Sequence, residues 1–329
     1  VADTKISGLA QLTGAGAVAD ADELVIVDKS DATMAASGTD KRLTVADLAK
    51  AISEGGRLNL ADQSPPSAPA SGLTIYTRPR AGRRFVEMMG PSGLDTSLQP
   101  ALFGNNVVLW LPGTGTTASI AFGKSWTVGA TQAHPALATT NLLTSMSRAT
   151  FTTSTTSGNA SGVRMSASQF WRGNAAGLGG FFFFARFGVV TFQSAMQIWC
   201  GLSATTGILA GEPSAQNNTV CIGKDTADVN WQLMFRSASA VTKVDLGLAV
   251  AANQVLDVMF FAPPNGANIT ARVVDITSPA SPVVLADNTV HTANLPVSTA
   301  FLVAHAESRT NAASAVAIAL NRIYVESDY

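Results

Sequence analysis

The residue types able to carry chemistry are spread unevenly along this chain. Between Thr96 and Gly211 there is no Asp and no Glu, and the charged residues are Lys124, Arg148, Arg164, Arg172 and Arg186 alone. Such a stretch supplies no carboxylate acid, base, nucleophile or metal ligand, groups that most hydrolases, glycosidases and phosphoryl-transfer enzymes need. Downstream, Asp245, Asp257, Asp275 and Glu307 are the carboxylates open to a glycan-cleaving enzyme. The histidines are His134, His291 and His305, with no HExxH or HxH spacing around them. No serine sits in a G-x-S-x-G elbow, and nothing local assembles a Ser-His-Asp triad. Each histidine therefore reads as a structural or surface residue.

Weaker signals have bland readings that outweigh the sharp ones. Gly113-Thr-Gly115-Thr-Thr-Ala118 follows a strand and fits G-x-G-x-x-A, but SIAFGKSW after it reads as strand and no acid comes before Glu212. A dinucleotide site needs a helix and an acid about 20 residues on, so a loop is expected. Lys224-Asp225-Thr-Ala-Asp228-Val-Asn230 offers oxygen ligands for calcium, but with two carboxylates it reads as a solvated turn. No metal and no cofactor is expected. Arg78, Arg80, Arg83 and Arg84 cluster at a hairpin tip, fit to meet an anionic glycan or the acids of a partner. Trp199 and Trp231 lie in apolar runs and read as core, whereas Trp126 and Trp171 flank polar stretches and are the better sugar platforms.

Composition narrows the classes further. Of 329 residues, 13% are charged and 47% hydrophobic, and the formal net charge is −1. Mean hydropathy is +0.23, which argues against disorder over most of the length. Few charges and much apolar content suggest surface hidden between subunits. The near-zero net charge gives no electrostatic case for nucleic acid. No run reaches the ~18 apolar residues of a membrane span, so no membrane insertion is expected. The opening Val1-Ala2-Asp3-Thr4-Lys5 lacks the pattern of a secretory signal, which implies synthesis in the cytoplasm. Cys200 and Cys221 sit in strand-like runs and read as buried, reduced thiols, with a cross-strand disulfide as the alternative.

These residues must be positioned by four regions. Residues 1–62 hold ten of the twenty-two acids and most of the helix signal. There Leu24–Val27 reads as a strand that Lys41–Leu43 continues, and Thr44 caps a helix through Leu48 to Ile52 that stops at Gly55-Gly56. Residues 63–72, QSPPSAPASG, read as a semi-rigid linker. Residues 73–118 read as a hairpin connector, with strands Leu73–Thr77 and Arg84–Met88 flanking Arg80-Ala81-Gly82-Arg83. Residues 119–329 carry short strand-like runs, among them Gly180–Val190, Trp231–Arg236, Val255–Phe261, Ala300–Ala304 and Ala315–Val325, separated by Gly, Pro, Asn and Ser, and Phe181–Phe184 is apolar on both faces like a central strand. The fold class is mainly β: a small α+β module, then a β-sandwich or barrel.

Several blocks together carry a resemblance. The opening KISGLAQLTGAGAVADADELVIVDKSD with KRLTVADLAKAI resembles N-terminal modules of tailed-bacteriophage fibre and spike proteins. YTRPRAGRRFVEMMGPSGLDTSLQPALF, the FFFFARF and IWCGLS strands and the ending NRIYVESDY resemble phage tail or head fibres with a concanavalin-like jelly roll. The resemblance implies a homotrimeric virion protein of capsid or tail that contacts other virion proteins and binds host-surface polysaccharide or protein. It carries no catalytic motif. On this reading Leu24, Ile26, Leu48 and Ile52 are the docking apolars of the N-terminal module, and Trp126, Trp171, Arg80 and Arg83 are the glycan-binding candidates. Short uncharged side chains suit sugar hydroxyls, and the lack of carboxylates removes repulsion against acidic capsules. The alternatives are a structural decoration or adaptor that binds no host, and a glycan depolymerase using Asp245, Asp257, Asp275 and Glu307.

Overall fold

The computed structural model describes residues 23–28, 39–44, 60–67, 69–89, 95–97, 106–113, 119–122, 126–129, 131–176 and 178–327. The chain forms two compact units, Val1–Ala61 and Asp62–Tyr329. In the first, β1 (Glu23–Asp28) pairs antiparallel with β2 (Thr39–Thr44), with Ile26 opposite Lys41. Leu24 and Ile26 thus lie on the expected strand. The expected helix, with Leu48 and Ile52, lies outside the described residues.

The second unit opens with a hairpin. β3 (Thr74–Arg80) and β4 (Arg83–Met89) meet at Ala81-Gly82, whose φ values of 52° and 79° are both positive. A two-residue turn of this hand matches the twist of the flanking strands. β5 (Asp95–Ser97) pairs along β4.

The rest is a sandwich of two antiparallel sheets. The first runs β19 (Val283–His291), β18 (Ile269–Asp275), β17 (Val255–Ala262), β12 (Phe181–Thr191), β21 (Ala317–Ser327), β10 (Ala149–Thr152) and β9 (Thr131–Ala133). Beside β10, the other half of β21 takes β6 (Asn106–Leu111), which pairs in turn with β7 (Ile120–Phe122). The second sheet runs β16 (Val241–Ala249), β15 (Asn230–Arg236), β14 (Thr219–Lys224), β13 (Gln197–Ser203), β20 (Val303–Arg309), β11 (Ala160–Met165) and β8 (Trp126–Gly129). The chain alternates between sheets from β10 to β13, runs hairpins within each sheet from β13 to β19, and returns through β20 to β21. This is the connectivity of a concanavalin-like jelly roll, in line with the mainly-β sandwich expected from the sequence. One boundary needs correction. The sandwich does not begin at residue 119, because Val107–Trp110 fill ladder positions opposite Ile323–Glu326.

Alternation along β12 shows how the sequence builds the layers. Phe181, Phe183, Ala185, Phe187 and Val189 face the inter-sheet core with Trp110, Ile198, Cys200 and Trp231. Phe182 and Phe184 face outward, where Ala81 and Phe85 of the hairpin cover them together with Met259. Phe85 meets Phe182 edge-on at 5.2 Å. Arg83 lies over both rings and forms a bidentate pair with Glu326, both contacts 2.8 Å. A run apolar on both faces is thereby buried on both faces. Cys200 and Gly201 lie opposite Ile222 and Cys221, so the thiols sit on neighbouring strands but point to opposite faces of the sheet. That geometry excludes the disulfide alternative. Burial raises both thiol pKa values.

Candidate functional site

Four places could act on another molecule. The first is the loop after β14. The Lys224 ammonium is buried and donates to the carbonyls of Ser194 (2.6 Å), Met196 (3.1 Å), Asp225 (3.0 Å) and Thr226 (3.3 Å). Beside it Lys243 donates to Asp225 (2.9 Å) and to Asp228 (2.6 Å). Carbonyls and carboxylates that would suit calcium are thus satisfied by two ammonium groups. Among the described residues no group of three His, Cys, Asp or Glu could hold a metal. The G-x-G-x-x-A loop is followed by β7, a strand and not the helix that a dinucleotide site requires.

The second is the outer face of the seven-stranded sheet. His305 and Glu307 on β20 are fully buried there, under the segment from Ala204 to Gly211. Leu209 N–H donates to Glu307 Oε2 at 2.8 Å, and Arg164 Nη1 lies 3.5 Å from Oε1. His305 donates from Nε2 to the Thr205 carbonyl at 2.7 Å and stacks on Trp199 at 4.0 Å. Leu209 plugs an apolar cluster of Ala160, Trp199, Cys221 and Met234. This face is filled by the chain itself. The four candidate carboxylates of a depolymerase do not converge either. Asp245 lies on β16, four strand spacings from Glu307 on β20, or ~19 Å. Paired glycosidase carboxylates stand about 5–10 Å apart. Asp257 and Asp275 belong to the other sheet, on neighbouring strands but one ladder position apart and so on opposite faces, the former paired with Arg186 at 2.7 Å and the latter accepting from Thr277 N–H at 2.9 Å.

The third is the hairpin. Arg80 and Arg78 both pair with Glu87, which is fully buried, Arg83 pairs with Glu326, and Arg84 with Asp62 at 2.9 Å. The structure places Arg80 and Arg83 in ion pairs within the chain.

The fourth lies where loops meet at one end of the sandwich. An open groove of about 600 Å³ is lined by Arg172, Asn265, Thr292, Asn294 and Ser298, among others. Its walls are the segments before β12, after β15, after β17 and after β19. Local backbone chemistry explains the shape. Gly173, at φ 89°, brings its α-carbon so close to the Leu178 carbonyl that a Cβ would lie 1.7 Å from the oxygen. Asn265 and Asn294 take positive φ, which asparagine tolerates. Arg172 ties two walls together, donating from Nη1 to the Pro296 carbonyl (2.8 Å) and from Nη2 to the Gly266 carbonyl (2.5 Å). Its Nε is buried without a hydrogen-bond partner. Burial lowers its pKa. Asn294 donates to Thr242 at 3.0 Å. The side chains of Asn265, Thr292 and Ser298 make no hydrogen bond among the described residues.

Of the aromatic candidates, Trp171 stands beside this groove. The bridge Phe170↔Leu302 sets Trp171 against Phe301, their rings stacked at 5.2 Å, with Phe301 52% exposed. Trp171 itself does not line the groove, although it adjoins Arg172 in the chain. Trp126 is half-buried against the main core with its Nε1 unpartnered. Sequence reasoning missed the groove because its liners are scattered from Arg172 to Ser298. The available signal was Arg172 itself, a charge isolated in an acid-free stretch.

No known family profile matches the chain, and no curated protein matches it in sequence. Solved structures give distant likenesses. A protein of unknown function from Shewanella oneidensis MR-1 is 11% identical over 70% of this chain and 89% of its own, with a TM-score of 0.45. Peanut lectin, solved with a nine-residue peptide, is 8% identical over 68% of this chain and 97% of its own, with a TM-score of 0.44. A carbohydrate esterase from the Shiga toxin-encoding bacteriophage phi24B is 16% identical over 67% and 96%, with a TM-score of 0.38. At these scores and identities the likenesses carry no argument about activity or ligand.

Proposed function

We propose that this chain is a surface protein of a tailed-phage virion, docked by its N-terminal module, whose sandwich holds host-surface glycan without cleaving it. The observation that carries the binding half is the loop-end groove. It is open, about 600 Å³, and its liners include Asn265, Thr292 and Ser298, short uncharged side chains that make no hydrogen bond among the described residues. Sugar hydroxyls need such partners, and a rigid loop frame presents them at little entropic cost. The virion half rests on the sequence resemblance. Binding is favoured over cleavage because Asp245, Asp257, Asp275 and Glu307 stand apart.

The test is a glycan array probed with the full chain and with Ser298→Trp, which fills the groove from its half-buried wall. Binding by the parent that the variant loses supports the reading. A blank array for the parent, with the protein still found on particles by immunogold labelling, replaces it with the structural-decoration reading.

A further inference from the structure

Arg172 is a buried cation with no counter-ion among the described residues. It is 9% exposed, and both of its hydrogen bonds go to backbone carbonyls, which are neutral. Among the described residues no Asp or Glu lines the groove. Among the described residues no carboxylate lies within ion-pair distance of its guanidinium, unlike Arg83, Arg164, Arg186 or Arg272. Burial, with no neighbouring charge, is what acts on its ionisation. A charge held in a low-dielectric wall without a partner is costly, and native proteins compensate such charges. Nε, also buried, has no acceptor. The two observations are independent: a missing counter-charge and a missing acceptor on the same group. Two loops are tied by this arginine where a neutral donor would serve the carbonyls as well, so the charge itself calls for a purpose.

We infer that the groove is an acidic-sugar site, in which the carboxylate of a uronic or sialic-type residue is set against the Arg172 guanidinium while Asn265, Thr292 and Ser298 take its hydroxyls. The inference rests on the glycan-binding reading of the groove and narrows it to one chemical class. A charge-assisted bond to a planar guanidinium is stronger and more directional than a neutral one. The acid-free sequence around it leaves no carboxylate to repel the ligand. Neutral sugars can occupy the hydroxyl partners but leave the guanidinium as it was.

The test compares each of four acidic polysaccharides (polygalacturonate, alginate, hyaluronate and polysialate) with its own carboxyl-reduced form, as defined oligosaccharides, by calorimetry on the full-length protein. At least one acidic form should bind ten-fold or more tightly than its reduced form and weaken as salt rises. Arg172→Gln should abolish the difference. Arg172→Lys, which keeps the charge, should retain part of it and guards against a variant that only loosens the loops. Ser298→Trp should block both forms. If reduced and acidic forms bind alike and Ser298→Trp blocks both, the acidic-sugar inference falls and the glycan reading stands. If acidic forms win but Ser298→Trp leaves them untouched, the charge preference arises elsewhere and the inference falls. If nothing in the panel binds, both readings fall.

Discussion

Lys224 and Lys243 occupy the place a bound cation would take at the loop following β14. One ammonium is caged by carbonyls, and the other bridges two carboxylates. Replacing Lys224 with Met leaves four carbonyls without their donor, at about 1–3 kcal/mol for each that water cannot reach. The variant should lose at least ~3 kcal/mol in urea unfolding, whereas a chelator should leave the parent's melting temperature unchanged. Lys243 adds a pH dependence. Burial works against its charge, but the hydrogen bonds it donates to Asp228 and Asp225 outweigh this and hold its pKa above the ordinary 10.5. Its contribution is therefore complete below that value and fades as pH rises through the raised folded pKa. The stability gap between parent and Lys243→Met should be level from neutral pH to about pH 10 and shrink above it. A gap that shrinks between pH 7 and 9 would refute this. The sequence offered Asp225 and Asp228 as a weak cation loop, and the residues were indeed neighbours in one cluster. What it concealed was the occupant, because nothing in local spacing shows that Lys243, from β16 and so two strands on, reaches back to them.

At the scale of elements, strands with alternating or fully apolar patterns were legible and polar ones were not. β12, β15, β17 and β21 fall within a residue or two of their expected bounds. β20 was expected at Ala300–Ala304 but spans Val303–Arg309. The shift has a physical cause. His305 and Glu307 read as loop in sequence, yet they are buried because the segment from Ala204 to Gly211 covers their face. β8 and β9 were not legible because strands of four and three residues at sheet edges are too short to show a pattern. The hairpin was legible through Ala81-Gly82, but its seat on the nine-stranded sheet was not, since that contact joins residues far apart in sequence. It sets a prediction. Phe85 is buried between Phe182 and its neighbours, so Phe85→Ala should cost about 3 kcal/mol. Because Arg83 also leans on both rings, proteolysis should cut first near Ala81 in the variant and not in the parent. Equal protease resistance would mean the hairpin is held by its ion pairs alone.

For the whole molecule, the division at Ala61 and Asp62 separates two compact units. Every hydrophobic cluster among the described residues belongs to the second unit. A fragment from Asp62 onward should therefore fold, with a melting temperature within a few degrees of the full chain. Deleting the first unit should abolish incorporation into particles, and normal incorporation would end the docking idea. Copy number is the remaining variable. A single open groove with a handful of hydroxyl partners gives weak binding, on the order of the millimolar range, where ΔG is about −4 kcal/mol. Weak sites hold a particle only when several act together, through the effective concentration that linkage supplies. Closed threefold symmetry is one way to present them on one spike without open-ended assembly. Exposed Val283, Val284 and Val290 on the edge strand β19 offer apolar surface to a neighbouring copy. The full chain should thus sediment at about three times 33.9 kDa. If Val284→Lys yields monomers, those monomers should bind a soluble oligosaccharide as the parent does, yet lose cell adsorption by 10²-fold or more. A monomeric parent at micromolar concentration would count against the trimer. Monomers that adsorb as well as trimers would show that one groove suffices, and the argument from avidity would fail.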